Sequence, residues 1–67
     1  MTQQEFLDTS FHAGMKVKHL KYGKTYDVES VDFEECLIGV PASQLFEDGD
    51  ENDTQWFRCE NCIIVDD

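Results

Sequence analysis

The fold class is decided by residues 15–33, MKVKHLKYGKTYDVESVDF. Along two parts of this stretch, mostly apolar side chains alternate with mostly polar ones. Over residues 15–20 the alternation has the period of a β-strand. A turn follows around Gly23, because glycine adopts a positive φ without steric cost. The alternation resumes over residues 26–33 and slips by one position at Ser30, as a β-bulge would make it. This stretch therefore predicts two antiparallel strands joined by a tight turn.

The rest of the chain predicts three more strands and one short helix. Thr2 and Glu5 have the spacing of a capping box, which predicts a helix over residues 3–8. Strands are predicted over residues 36–40, 55–59 and 62–65, and a long polar connection is predicted over residues 42–54.

Five short strands with tight turns and one long loop are typical of a mainly β protein. Closure into a small five-stranded barrel removes the exposed strand edges that so short a chain cannot otherwise cover. We therefore divide the chain into a short N-terminal helix with its lead-in, residues 1–13, and a β-barrel domain, residues 14–67.

The length of the chain limits its chemistry. With 67 residues it forms one domain, and a domain of this size buries only about 60% of the surface of its unfolded chain. Little room remains for a dry pocket that positions several catalytic groups. No histidine pairs obviously with a serine or cysteine that could act as a nucleophile, and the sequence contains no glycine-rich loop that could hold a phosphate. We expect a protein that is not an enzyme and that uses no cofactor.

The charge of the chain restricts its partners. Fifteen acidic and five basic side chains give a net charge of −10, which repels nucleic-acid phosphates and anionic membranes. No apolar run approaches the ~18 residues of a membrane span. The N-terminus lacks the pattern of a secretory signal, and an odd number of cysteines would leave one thiol unpaired in an oxidising compartment. We expect a cytoplasmic protein that binds neither membranes nor nucleic acid directly.

Two stretches resemble SH3-like barrels. Residues 56–65, WFRCENCIIV, look like the end of such barrels, where a strand, one helical turn holding an Asn and a closing apolar strand follow one another. Residues 14–23, GMKVKHLKYG, are similar to the opening of Tudor-type SH3-like domains of some bacterial helicases, with Lys24-Thr25 where a second glycine is usual. Over residues 14–65 the resemblance implies a barrel that binds proteins or nucleic acids. Small proteins of unknown function from phages and gut bacteria also resemble this chain.

The cysteines raise the question of a metal site. Cys59 and Cys62 have the spacing that holds half of a tetrahedral zinc site, and Cys36 with His12 or His19 would have to complete it. A strong zinc signature needs a second paired knuckle, which the sequence does not contain. Free cysteine also packs well as a small hydrophobe. We expect no metal and keep Cys59, Cys62 and Cys36 as weak candidate ligands.

Acidic and aromatic residues are the candidate contacts for a partner. The acidic run in the polar connection could imitate the phosphates of a nucleic acid and attract a basic protein; it could equally serve solubility. Exposed Tyr and Trp are favoured interface anchors, although Trp56 is equally suited to fill a small barrel. The candidate partner-binding residues are Tyr22, Phe46, Glu47, Asp48, Asp50, Glu51, Asp53 and Trp56.

These observations predict a non-enzymatic protein-interaction or regulatory module of SH3-like type. The alternative is an acidic nucleic-acid mimic, such as a phage could encode, that inhibits a DNA- or RNA-binding host protein. A small structural zinc-binding module is the second alternative. A protein partner is expected in the first two cases, and the sequence leaves the oligomeric state open.

Overall fold

One α-helix and six β-strands form the regular structure of the described residues, which are 1–12, 14–50 and 52–65 of this computed structural model. The elements are α1 Gln3–Asp8, β1 Lys16–His19, β2 Lys24–Asp27, β3 Ser30–Asp32, β4 Leu37–Pro41, β5 Thr54–Arg58 and β6 Cys62–Val65. A first 3-10 turn, Ala42–Gln44, follows β4, and a second, Cys59–Asn61, joins β5 to β6. Within these described ranges, no helix is long and apolar enough to cross a membrane.

The strands form two antiparallel three-stranded sheets, ordered β2-β1-β6 and β3-β4-β5. The prediction of a mainly β fold with a short N-terminal helix is confirmed. The prediction of five strands closed into a barrel is wrong, because the part of the chain that the structure describes has six strands in two separate sheets. The additional strand arises where the predicted strand over residues 26–33 is divided between the sheets.

The chain passes from the first sheet to the second at Val28 and Glu29. The Val28 amide donates to the Met15 carbonyl at 2.9 Å, which continues the pairing of β2 with β1. The Glu29 amide donates to the Gly39 carbonyl at 2.8 Å, although the register partner of Gly39 is Ser30. Two residues therefore face one, as in a β-bulge, and the bulge bends the strand at the position where the sequence pattern slips.

The helix α1 confirms the prediction over residues 3–8. Thr2 Oγ1 accepts from the Glu5 amide at 3.1 Å, and Glu5 Oε1 accepts from the Thr2 amide at 2.9 Å, which forms the predicted capping box. Six residues are too few for a stable isolated helix. Phe6 holds α1 in place, because its side chain is fully buried and its ring lies 5.1 Å from that of Phe11 and 5.5 Å from that of Phe33.

The core lies between the inner faces of the two sheets and includes all three cysteines. Its buried residues are Phe6, Val17, Tyr26, Cys36, Ile38, Val40, Phe57, Cys59 and Cys62. The strand predicted over residues 36–40 begins one residue later than expected. Cys36 has a φ of 56°, a left-handed conformation that ends the preceding turn and does not belong to a strand.

We predict that the buried thiols make the fold sensitive to alkali. Burial, followed by the hydrogen bond and charge of Glu60, raises the pKa of Cys59 to about 12, and burial raises the pKa of Cys62 to about 11. The ordinary value is 9.0, so above that pH the unfolded thiols ionise while the folded ones stay protonated. The free energy of unfolding should therefore fall as the pH rises through this range.

Urea unfolding of the wild type should show a lower midpoint at about pH 9.5 than at about pH 8. The control is the double variant Cys59→Ala/Cys62→Ala, which should be less stable at both pH values but lose less stability between them. An equal loss in both proteins would contradict the role of the thiols.

Candidate functional site

The β1–β2 turn places Tyr22 against His19. Gly23 has a φ of 69°, and its amide donates to the His19 carbonyl at 2.7 Å, which closes the turn. The Tyr22 amide donates to Nδ1 of His19 at 3.3 Å. The two rings stack with their centroids 4.2 Å apart and their planes at 18°. The exposed phenol ring is therefore held against a buried imidazole.

His19 connects Tyr22 to the aromatic residues of the core. Its ring meets Phe57 edge-on with the centroids 4.6 Å apart, and the Phe57 ring lies 5.4 Å from that of Tyr26. Burial, assisted by the charge of Lys21, lowers the pKa of His19 and favours its neutral form. In that form Nδ1 is the acceptor, so the ring proton resides on Nε2. The rings of Tyr22, His19, Phe57 and Tyr26 thus form one chain of contacts that connects the β1–β2 turn with β1, β5 and β2.

The connection between β4 and β5 supplies the opposite wall of the site. The Ala42 carbonyl accepts from the amides of Leu45 and Phe46, each at 3.0 Å. Gln44 ties this segment to β2, because its Oε1 accepts from the Asp27 amide at 2.9 Å and its Nε2 donates to Asp27 Oδ2 at 2.8 Å. These bonds fix the position of Leu45 and Phe46 relative to the first sheet.

A groove of about 500 Å³ lies between the two walls. Its volume falls in the range of small-ligand pockets. The lining is mostly aromatic or apolar, and Lys24 is its one charged member. The lining residues are Tyr22, Lys24, Tyr26, Leu45, Phe46, Gln55, Trp56 and Phe57. We refer to these eight residues as the aromatic groove. Its composition suits apolar side chains of a partner, with a few polar groups to orient them.

Three of the predicted partner contacts meet in the aromatic groove. Tyr22, Phe46 and Trp56 all line it, and the side chains are 52%, 52% and 46% exposed respectively. Single exposed apolar residues are common on protein surfaces, so it is the clustering of these three that makes this surface a candidate for interaction. The structure thus brings together aromatic residues that lie up to 34 positions apart in the sequence.

Five lining residues were not predicted, and strand periodicity could have found some of them. Lys24 lies two positions before Tyr26 in β2, and Gln55 lies two positions before Phe57 in β5. Residues two apart share a strand face, so each aromatic residue indicates the orientation of its polar neighbour. Leu45 follows a 3-10 turn and has no such signal.

Trp56 borders the aromatic groove and also reaches the outer face of the second sheet. Phe57 points inward, so the alternation of a strand directs Trp56 outward. A Cβ atom placed on Gly39, its register partner, would lie only 3.0 Å from Cζ3 of the indole. The indole therefore occupies space that Gly39 leaves open.

The predicted acidic contacts that the structure describes are not among the residues that line the aromatic groove. Four of them are exposed, namely Glu47, Asp48, Asp50 and Asp53, and Glu51 lies outside the described residues. Asp50 orders the segment, because its Oδ1 accepts from the Asn52 amide at 2.9 Å and its carbonyl accepts from the Asp53 amide at 3.1 Å. Negative charge thus begins immediately after Phe46, at the margin of the groove.

The weak metal-ligand candidates are core residues. Cys59 and Cys62 are fully buried and Cys36 is nearly so, and Cys59 Sγ donates to Glu60 Oε1 at 3.0 Å. Burial raises the pKa values of Cys59 and Cys62, so a metal ion would displace their protons at a greater cost than those of exposed thiols. In residues 1–12, 14–50 and 52–65, no three His, Cys, Asp or Glu side chains are grouped so that they could hold a metal.

Comparison with known proteins yields no relative, because no family model, curated protein or solved structure matches the chain. The function must therefore be argued from the aromatic groove and the acidic segment beside it.

We predict that His19 makes the fold sensitive to mild acid. Its folded pKa is lowered from the ordinary 6.5, so below that value the unfolded chain binds more protons than the folded one. The free energy of unfolding should fall as the pH drops through this range. Thermal unfolding of the wild type at about pH 7 and about pH 5.5 should show the fall.

The variant His19→Gln, which keeps an acceptor for the Tyr22 amide but does not titrate, should show a smaller fall. The carboxyl groups of Glu5 and Glu60, whose pKa values lie below 4.5, titrate at lower pH. A fall as steep in His19→Gln as in the wild type would assign the effect to another group.

Gly49 packs against the first 3-10 turn, where no space is left for a side chain. A Cβ atom there would lie 2.8 Å from the backbone nitrogen of Ser43 and would also collide with the Ala42 carbonyl. Because backbone atoms cannot move aside easily, Gly49→Ala should reduce the free energy of unfolding by about 1–3 kcal/mol. The exposed neighbour provides the control, since Asp48→Ala should stay within about 0.5 kcal/mol of wild type. Equal urea midpoints for all three proteins would contradict this packing.

Proposed function

We propose that this protein is a non-enzymatic protein-interaction module that binds an apolar segment of a partner protein in the aromatic groove. The observation that carries the proposal is the convergence of Tyr22, Phe46 and Trp56 on one groove while all three rings stay about half exposed. Aromatic residues of this kind are the usual anchors of protein interfaces.

The chemistry of the aromatic groove supports binding over catalysis. Its titratable side chains are Tyr22, Tyr26 and Lys24, which do not form a nucleophile with an adjacent base. The imidazole of His19, which stacks on Tyr22, is buried, and its Nδ1 already accepts a hydrogen bond from the Tyr22 amide. The groove thus offers apolar surface and a single cation, which are features of recognition.

An SH3-like origin and a regulatory role in the cytoplasm belong to the same proposal. The strand, 3-10 turn and strand of residues 54–65, with Asn61 in the turn, follow the order that the resemblance implies. All three cysteines are free, as is usual in a reducing compartment. The closed barrel is not part of the proposal.

The proposal predicts that Phe46→Ala lowers partner capture while Leu20→Ala does not. The two side chains are similarly exposed, at 52% and 54%, but only Phe46 lines the groove. The immobilised wild type and both variants would be incubated with nuclease-treated bacterial lysate, washed at high salt and analysed by quantitative mass spectrometry. Loss of an anchor should reduce capture of the partner at least about tenfold.

Equal capture by the wild type and Phe46→Ala would contradict the proposal. The alternative function, an acidic nucleic-acid mimic, predicts the opposite effect of these changes on partner capture. Its partner would survive Phe46→Ala, be released at moderate salt and be lost when Asp48, Asp50 and Asp53 are changed to Asn, because attraction between exposed charges is screened by salt.

A further inference from the structure

The hydrogen bonds of β5 with β4 determine which backbone groups of β5 face away from the sheet. The Ala42 amide donates to the Asp53 carbonyl at 2.9 Å, and the Cys59 amide donates to the Cys36 carbonyl at 3.1 Å. In an antiparallel ladder the bonded residues recur at every second position. Between residues 53 and 59, the residues of β5 whose backbone groups bond to β4 are therefore Gln55 and Phe57.

The alternate residues of β5 form an open edge. The amides and carbonyls of Thr54, Trp56 and Arg58 point away from β4, and β5 is the last strand of its sheet. Among the described residues, none of these outward groups has a hydrogen-bond partner. Such a row of donors and acceptors is a template on which a further strand can pair.

The other sheet edges are occupied or short. At the edge of β2, the outward amide of Asp27 donates to Oε1 of Gln44. At the edge of β6, the Cys62 carbonyl accepts from the amino group of Met1. The edge strand β3 has only three residues. The five residues of β5 therefore form the longest edge left open in the described structure.

The aromatic groove lies along this open edge. Gln55, Trp56 and Phe57 belong both to β5 and to the groove lining. A strand added to β5 would place alternate side chains on opposite faces, one set in the groove and the other beside the outward indole of Trp56. Lys24 is the one charge in the groove, so the inserted side chains should be apolar.

Charge indicates the character of the remaining side chains of such a segment. The protein carries a net charge of −10, and exposed Asp53 immediately precedes the first residue of β5. Arg58 is exposed at the other end of the strand. The net negative charge thus favours a partner segment with basic side chains, and only the immediate neighbourhood of Arg58 opposes them.

We infer that the open edge of β5 accepts an extended segment of the partner as an added β-strand, with apolar side chains in the aromatic groove and basic side chains on its other face. Strand addition of this kind takes its affinity from main-chain hydrogen bonds and its specificity from alternate side chains. The inference rests on the proposed function, because it states how the groove holds its partner.

Amide hydrogen exchange on addition of a short, acetylated and amidated peptide of alternating lysine and valine tests the inference. Exchange at Thr54, Trp56 and Arg58 should slow, because their amides gain partners, whereas Gln55 and Phe57 already bond to β4 and should change little. The matched peptide with glutamate in place of lysine should bind at least about tenfold more weakly. Absence of binding, or binding without the alternating change in exchange, would overturn the inference.

Two variants of Arg58 isolate the outward amide. Arg58 has a φ of −69°, which proline adopts without strain, and its amide does not bond to β4. Arg58→Pro removes that amide together with the guanidinium, whereas Arg58→Ala removes the guanidinium alone. The lysine–valine peptide should bind Arg58→Pro about threefold to tenfold more weakly than Arg58→Ala, and equal affinities would overturn the inference.

Peptides methylated on backbone nitrogen provide the measurement if Arg58→Pro does not fold. Methylation of alternate amides along one edge of the lysine–valine peptide should abolish binding, and methylation along the other edge should be tolerated, because only one edge faces β5. Equal effects of the two methylation patterns would overturn strand addition.

Phe46→Ala separates this inference from the proposed function. If Phe46→Ala weakens binding of the peptide while exchange in wild-type β5 shows no alternation, the groove proposal stands and strand addition fails. If Phe46→Ala binds normally while Thr54, Trp56 and Arg58 gain protection, strand addition stands and the groove proposal fails.

Discussion

The bend at Val28 and Glu29 is the constraint on which the rest of the molecule depends. One amide joins the ladder of the first sheet and the next amide joins the second, so a single run of extended chain serves both sheets. The two sheets then face each other across one small core, which Phe6 completes from the helix. On the side away from this bend β5 pairs with only one strand, and the aromatic groove lies there.

The aromatic groove shares its floor with the core. Tyr26 and Phe57 are buried members of the core and also line the groove, whereas Tyr22 and Phe46 are exposed on its walls. Under the proposed function, substitution on the floor therefore affects folding and binding together, while the walls can vary with a smaller effect on stability. In a chain with so small a core, this sharing lets few side chains serve both purposes.

Local patterns predicted the elements, and contacts distant in sequence decided their arrangement. The capping box of Thr2 and Glu5 gave α1, and the period of two gave β1, because each signal lies within a few residues. A bulged continuous strand and a strand divided between sheets have the same local pattern, so the bend at Val28 was not predictable. The groove likewise depends on the bonds of Gln44 with Asp27, 17 positions away, and the sequence identified Tyr22 and Phe46 without indicating that they meet.

The position of Trp56 gives the molecule a built-in optical reporter. It is the single tryptophan of the chain, it lies on the open edge of β5, and its indole is 46% exposed. The emission of an indole shifts to shorter wavelength when water around it is displaced. Occupancy of this edge can therefore be followed by intrinsic fluorescence, with no label attached and no second tryptophan to contribute background.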